Sequence, residues 1–343
     1  MQNPFSLSFG KEPISVIDRN LQNEDIISSF TAEQASYQVC LITGVRGSGK
    51  TVAMTMIAND LKKDKNWIVV DLNPERDLLN QLAAELSNRK ELLQIFRDAK
   101  INLSFLGFGL EIDGVPPITD TVVALRRMLS RLTDLNKRIL ITIDEVTSNE
   151  NVRVFISQFQ IFMRENLNVF LIMTGLYDNI KNLKDEKTLT FLYRAPSIEL
   201  QPLSLVLIAQ NYKEAFDLSD AEALSMAKVT KGYPFAYQVL GYLCWTEKRP
   251  WTEVLPRYDG LLEDYAYSKI WSERSNKDKS VLIAVATLQE TKVENIRKEV
   301  NMTSNQFSVY RNRLIKSGII HSQSYGYLEF TLPRFKEFIL RTI

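Results

Sequence analysis

Residues 37–51 read Tyr37-Gln38-Val39-Cys40-Leu41-Ile42-Thr43-Gly44-Val45-Arg46-Gly47-Ser48-Gly49-Lys50-Thr51, and their reading decides the fold. The apolar run Tyr37–Thr43 ends at a glycine and reads as a buried strand, while a segment of helical character opens at Lys50. Gly44 to Thr51 matches G-x-x-x-x-G-K-[ST] in full, in the strand–loop–helix setting that this motif requires. Glycines let consecutive backbone N–H groups turn inward around an anion, and the helix that follows adds the positive end of its dipole. A lysine at position 50 reaches the β- and γ-phosphates of a nucleotide, and a threonine hydroxyl at 51 reaches Mg²⁺. Gly44, Arg46, Gly47, Ser48, Gly49, Lys50, Thr51 and Val52 are therefore the candidate nucleotide-binding residues, with ATP or ADP and Mg²⁺ as the expected ligands.

Working outward, strand and helix signals alternate. A helix is predicted over Lys50–Lys63 and a strand over Trp67–Leu72, ended by Asn73-Pro74. Helical periodicity over Asp77–Ala99 sets Leu78, Leu79, Leu82 and Leu86 on one face. Residues 101–115 alternate loosely around Gly107, Gly109 and Gly114, which predicts a hairpin insertion. A helix over Asp120–Leu135, strands at Ile139–Ile143 and Asn168–Met173, and a last strand at Ile198–Leu200 complete the pattern. Alternation of this kind predicts an α/β fold, a parallel sheet with helices on both faces.

Arg138-Ile139-Leu140-Ile141-Thr142-Ile143-Asp144-Glu145 is an apolar strand ending in two carboxylates. Adjacent carboxylates at the end of a buried strand are costly unless a cation or ligand uses them. In parallel α/β sheets that edge is where ligands bind. Asp144 is expected to hold Mg²⁺, and Glu145 to polarise an attacking water as general base. A glutamate after the aspartate favours hydrolysis over phosphoryl transfer to a metabolite.

The chain has 343 residues, which predicts about two to three domains. Apolar residues make up 45% and charged residues 24%, so the chain is neither disordered nor fibrous. No apolar run is long enough for a transmembrane helix, and the start Met1-Gln2-Asn3-Pro4-Phe5 lacks the features of a signal peptide, so a cytoplasmic protein without membrane contact is expected. Cys40 and Cys244 sit far apart in apolar stretches and read as buried thiols. The single histidine, His321, leaves no room for a His-rich metal site and reads as a packing residue.

Residues 204–271 read as helical, punctuated by Gly232-Tyr233-Pro234 and Arg249-Pro250. Three further helices, Lys277–Thr287, Val293–Val300 and Asn305–Ser317, precede a hairpin of Ile319–Ser322 and Tyr327–Thr331, with Pro333 opening a terminal helix. Three helices followed by a hairpin is the winged helix-turn-helix pattern. The domains are thus read as 1–203, 204–272 and 273–343. The last carries 12 Lys/Arg against 7 Asp/Glu, a mildly basic unit on a mildly acidic body. On its third helix, Asn305, Gln306, Arg311 and Arg313 are the candidate contacts to duplex DNA, and Tyr325 is the candidate wing tip. Phe307, Tyr310 and Leu314 take the core face, and docking on a protein partner or on the chain's own body remains the rival reading.

The ordered set of motifs resembles the AAA+/STAND group of P-loop ATPases, more narrowly the bacterial and archaeal ATPases with an Orc-like AAA domain, a helical lid and a C-terminal winged helix. Beside the two motifs, the resemblance rests on Asn3-Pro4-Phe5, Phe9-Gly10 and Ile17-Asp18-Arg19 at the front and on Met173-Thr174-Gly175-Leu176. It continues through Phe191-Leu192-Tyr193-Arg194, Leu200-Gln201-Pro202-Leu203, Gly232-Tyr233-Pro234-Phe235 and Phe330-Thr331-Leu332-Pro333-Arg334-Phe335. It implies that Thr174 senses the γ-phosphate, that Arg194 completes a neighbouring copy's site in trans, and that Pro234 packs near the adenine. It places Val16–Arg19 beside the base, although Asp18 stands where the family has glycine, and no arginine follows Pro234 in its helix to act as a second sensor. Two functions remain open on this reading: a nucleotide-driven switch acting on DNA, and a STAND-type signalling or defence switch with a protein partner. Self-association belongs to either.

Overall fold

The computed structural model describes residues 2–8, 14, 15, 17, 20–104, 107, 110–322 and 326–343. Arg19, Asp18, Phe9, Gly10 and the wing-tip candidate Tyr325 lie outside them. The chain divides into two compact units, one of residues 1–19, 44–52 and 200–343, the other of residues 20–43 and 53–199.

The second unit is built on a five-stranded sheet of β1 (Val39–Thr43), β2 (Trp67–Leu72), β3 (Arg138–Ile143), β4 (Val169–Gly175) and β5 (Ser197–Glu199), in the order β2-β3-β4-β1-β5. All four pairings are parallel. β1 and β4 are buried along their whole length, as expected for strands covered on both faces. Helices α1 (Asn20–Thr31), α3 (Leu78–Ser87), α4 (Lys90–Asp98), α5 (Thr121–Asp134), α6 (Glu150–Arg164) and α7 (Tyr177–Asp185) belong to this unit, and α2 (Lys50–Leu61) runs into it from the phosphate-binding loop. Their starts are chemically marked: Asp77, Asp120 and Asn149 each accept a backbone N–H of the first turn. The core gathers Leu82, Leu86, Leu125, Met128, Phe155, Phe159 and Phe162 from these helices with the inner residues of the strands.

Two expectations change in this unit. The single helix predicted over Asp77–Ala99 is two, because Asn88 caps α3 and Arg89 is extended (φ −79°, ψ 116°) before α4 begins. The expected hairpin at 101–115 contains no strand among its described residues. One backbone bond, Leu103 N to Leu110 O at 2.8 Å, closes the loop, and the Asn102 amide donates to the carbonyls of Ile112 and Val115.

The first unit is helical. It comprises α8 (Leu205–Phe216), α9 (Asp220–Val229), α10 (Pro234–Glu247), α11 (Leu255–Leu262), a π-helical turn at Glu263–Tyr267 and α12 (Ser268–Ser272). Next come α13 (Asn276–Thr287), α14 (Val293–Glu299), α15 (Ser304–Lys316), the two-stranded antiparallel pair β6 (Ile320–His321) and β7 (Glu329–Phe330), and α16 (Phe335–Thr342). Capping boxes start α9, α13 and α15. The terminal helix opens at Phe335, two residues after Pro333, because Arg334 sits in the left-handed region (φ 54°) and is held by Asp259. One continuous core joins Tyr212, Tyr237, Tyr258 and Tyr267 to Val285, Phe307, Leu314, Phe335 and Phe338. The N-terminal segment enters it at Phe5, whose ring stacks on Phe216 at 5.6 Å and meets the edge of Tyr237. Gly241 leaves the space that Phe5 fills.

Candidate nucleotide-binding and hydrolysis site

In the loop between β1 and α2, Gly47 and Gly49 both have positive φ, 76° and 86°. At Gly47 there is also no room for a side chain, since a Cβ would lie 2.9 Å from Cζ of Tyr233 and 3.0 Å from Cβ of Phe235. The Lys50 side chain is largely buried, its ammonium donating to the carbonyls of Gly44 and Val45, both at 3.1 Å. Ser48 is buried too, and its N–H donates to Val45 O at 3.1 Å. Thr51 and Val52 lie in the first turn of α2.

The loop's outer side is gripped by other parts of the first unit. The Tyr233 hydroxyl donates to Arg46 O at 2.5 Å, and the backbone N–H of Phe235 donates to Gly47 O at 3.2 Å. The Arg46 guanidinium reaches Glu273 at 3.5 Å. A Cβ built at Gly318 would lie 3.7 Å from Cβ of Val45. Pro234 is the first residue of α10, the position where its missing N–H costs nothing. Gly232 precedes it at φ 74° and packs so closely that a Cβ would meet Leu203 O at 2.5 Å. Burial raises the Tyr233 phenol above its ordinary pKa, so its hydroxyl remains a donor.

In the second unit, β3 ends at Ile143, and Asp144 and Glu145 follow at the C-terminal edge of the sheet. Thr174, fully buried at the end of neighbouring β4, donates its hydroxyl to Asp144 Oδ1. The Glu145 N–H donates to Asp144 Oδ1 at 3.0 Å and to Thr174 Oγ1 at 3.3 Å. Glu145 adopts φ 52°, a left-handed conformation unusual for a glutamate, with its side chain exposed. Strained backbone of this kind persists where surrounding bonds hold it, here the bonds to Asp144 and Thr174 and the Val146 N–H on Thr174 O at 2.9 Å. Thr142 is buried, and its hydroxyl meets the Asp71 carboxylate.

The predicted residues thus fall into two groups: Gly44 to Val52 with Pro234 in the first unit, and Asp144, Glu145 and Thr174 in the second. Arg194 joins neither. It ends a 3-10 turn, Thr190–Arg194, on the surface, and makes no ion pair among the described residues. On α15, Asn305 and Gln306 are exposed. Gln306 completes the capping box with Thr303. The Arg311 Nε is buried without a hydrogen-bond partner among the described residues. Arg313 is turned toward α13, where it donates to Asp278 Oδ1 at 3.2 Å and to Ser275 Oγ at 3.1 Å, and lies over the Tyr310 ring at 5.2 Å. Tyr233 and Glu273 are the residues that sequence reasoning did not single out. Tyr233 stood inside a quoted motif, whereas nothing in the sequence around Glu273 signals its contact with Arg46.

Cys40 and Cys244 are free and buried, and burial pushes both thiols up to about 12. His321 packs in the hairpin with Nδ1 3.4 Å from Thr331 Oγ1. Among the described residues no helix is long and apolar enough to cross a membrane.

A family model described as an AAA domain matches residues 36–206, and a second, described as a domain of unknown function, matches residues 264–339. Among solved structures, the chain resembles a Walker-type ATPase of Pyrococcus abyssi with a TM-score of 0.64 and 17% identity, over 95% of this chain and 96% of that one. Cdc6p from Pyrobaculum aerophilum gives a TM-score of 0.49 at 13% identity, over 98% and 97% of the two chains. No curated protein matches the sequence. The fold is that of the AAA+ P-loop ATPases, and it is residues 36–206 that match the AAA domain model.

Proposed function

We propose that this chain, whose residues 36–206 match an AAA domain, binds ATP with Mg²⁺ and hydrolyses it slowly as a nucleotide-driven switch. The observation that carries the reading is the bonded set Asp144, Glu145 and Thr174 at the sheet edge, in a chain that also holds a complete phosphate-binding loop. The donor chemistry fits the ligands. Thr51 and Asp144 offer hard oxygen atoms of the kind Mg²⁺ takes from a protein when phosphates and water fill its other positions. When bound, the cation would neutralise charge on the transferring phosphoryl group. Lys50 binds the β- and γ-phosphates and Gly44 to Val52 wrap the rest of the phosphate chain. Thr174 orients the Asp144 carboxylate and is the sensor of the γ-phosphate. Glu145, exposed and held by its backbone, takes the proton of the attacking water. Arg194, exposed, is the finger supplied to a second copy, and Pro234 packs near the adenine.

Residues 204–272 are then the lid and residues 273–343 a winged helix. On duplex DNA, the contacts would come from Asn305, Gln306 and Arg311, with Arg313 shaping the helix face rather than reading bases. A second reading, a STAND-type switch docked on protein, is favoured by one observation: within the first unit Glu273 and Gly318 lie against Arg46 and Val45 of the loop.

The test is ATP turnover by the purified protein, with and without duplex DNA at two salt concentrations, beside Glu145→Gln. Stimulation by DNA that fades with salt supports the DNA-acting switch. Turnover indifferent to DNA, with nucleotide retained through purification, supports the protein-docked switch. Normal hydrolysis by Glu145→Gln would remove Glu145 from its role.

A further inference from the structure

The geometry points to Tyr233 as a positioning residue for the phosphate-binding loop, acting through the Arg46–Gly47 peptide rather than on the nucleotide itself. This rests on the nucleotide-binding reading above and adds a part to that site.

A trans peptide is planar, with its C=O and N–H on opposite sides. Tyr233 anchors the carbonyl of this peptide, at 2.5 Å from Arg46 O, on the loop's outer side. Its N–H, that of Gly47, is thereby turned the opposite way, the orientation an anion-binding loop needs. Gly47 itself cannot resist rotation, because glycine at φ 76° has access to many alternatives. The restraint has to come from outside the loop, and two bonds supply it. The second is the Phe235 N–H on Gly47 O, so consecutive carbonyls are held by residues two apart in one segment. The Tyr233 ring also fills the space where a Cβ at position 47 would sit, which fixes the spacing between loop and segment.

The anchor is itself held on both sides. Tyr233 is 4% exposed, and it precedes Pro234 at the start of α10. Gly232 on its other side is pinned against Leu203, whose N–H donates to Gly232 O at 2.8 Å. Leaving a buried phenol hydroxyl without an acceptor is costly, and for Tyr233 the acceptor is a loop carbonyl rather than a neighbour in the core. Movement of this segment therefore pulls directly on the peptide that faces the phosphates, and occupancy of the loop is felt by α10.

Tyr233→Phe keeps the ring and removes only the bond. Tyr267→Phe is the control, since its hydroxyl donates to Pro333 O in the same core and touches nothing in the loop. Both variants are compared with the unmodified chain for ATP affinity by calorimetry, for KM and kcat, and for thermal unfolding. The expected result is a rise of about five- to tenfold in the ATP dissociation constant and in KM for Tyr233→Phe, with kcat nearly kept and Tyr267→Phe unchanged in binding. Unaltered ATP affinity in Tyr233→Phe overturns the proposal. So does equal weakening in both variants together with lowered unfolding temperatures, because the hydroxyl would then serve only the core. If the unmodified chain bound no ATP, the nucleotide reading would fall and this inference with it, a failure visible before any variant is compared.

Discussion

In residues 44–51 the backbone is the working part, whereas in residues 304–316 any recognition depends on which side chains leave one helix face. The loop's glycines take positive φ, and the carbonyls of Arg46 and Gly47 are held by Tyr233 and Phe235, which is the backbone arrangement an anion cradle needs. Helix α15 carries an equally suggestive row of polar residues, yet its members have different tasks. Arg313 is committed to Asp278, Gln306 to the helix start, and Asn305 faces solvent. The lesson is that a motif defined by backbone geometry transfers from sequence to structure almost intact, while one defined by side-chain direction has to be sorted residue by residue.

The largest effect expected is at Glu145. Glu145→Gln keeps the side chain's shape and its backbone bonds but removes the base, so hydrolysis should drop by about 10²- to 10⁴-fold while ATP binding persists. Single-turnover hydrolysis beside equilibrium binding checks it. Lys50→Ala acts on the other half of the chemistry. Losing a charge-assisted contact to phosphate should weaken ATP by about a hundredfold, read by calorimetry. If Lys50→Ala bound ATP normally, the loop would be a turn that merely matches the motif, and its contrast with α15 would collapse.

What could be read in advance follows the same division. Residues 39–42, 67–70, 139–141 and 169–173 are continuous apolar runs, so burial on both faces and the parallel sheet were legible. The place of Asp144 and Glu145 at the sheet edge was legible because they follow such a run directly. The break at Arg89 was not, since an arginine flanked by Asn88 and Lys90 carries no glycine or proline to announce it. Nor was the pairing of Arg313 with Asp278, residues 35 positions apart that only folding brings together. Tyr233 stood between a glycine and a proline that drew the attention. Its hydroxyl's target on Arg46, 187 residues away, is set by tertiary structure alone.

Thr174 tests how far side chains matter within the backbone-defined site. Thr174→Val keeps volume and removes the hydroxyl that meets Asp144 and receives the Glu145 N–H. Turnover should fall by about tenfold, with ATP affinity nearly unchanged. Steady-state kinetics decides it, and an equal loss in kcat and affinity would recast Thr174 as a packing residue.

Within α15 the contrast is between two neighbours. Asp278 is 3% exposed and Arg313 is 35% exposed in their ion pair, so Arg313→Ala strands a buried carboxylate whose remaining partner is the Ser275 cap. After allowance for solvent at the guanidinium, the cost should be about 2 kcal/mol of stability, measured by denaturant unfolding of the whole chain. Asn305→Ala removes an exposed amide one turn or more away from that pair, and its effect on stability should stay within about 0.5 kcal/mol. The two substitutions diverge again if the helix reads duplex DNA. Asn305→Ala should then weaken duplex binding without touching stability, whereas any loss in Arg313→Ala should track unfolding. Equal destabilisation by both would mean that α15 has no exposed working face, and recognition would have to be sought elsewhere on residues 273–343.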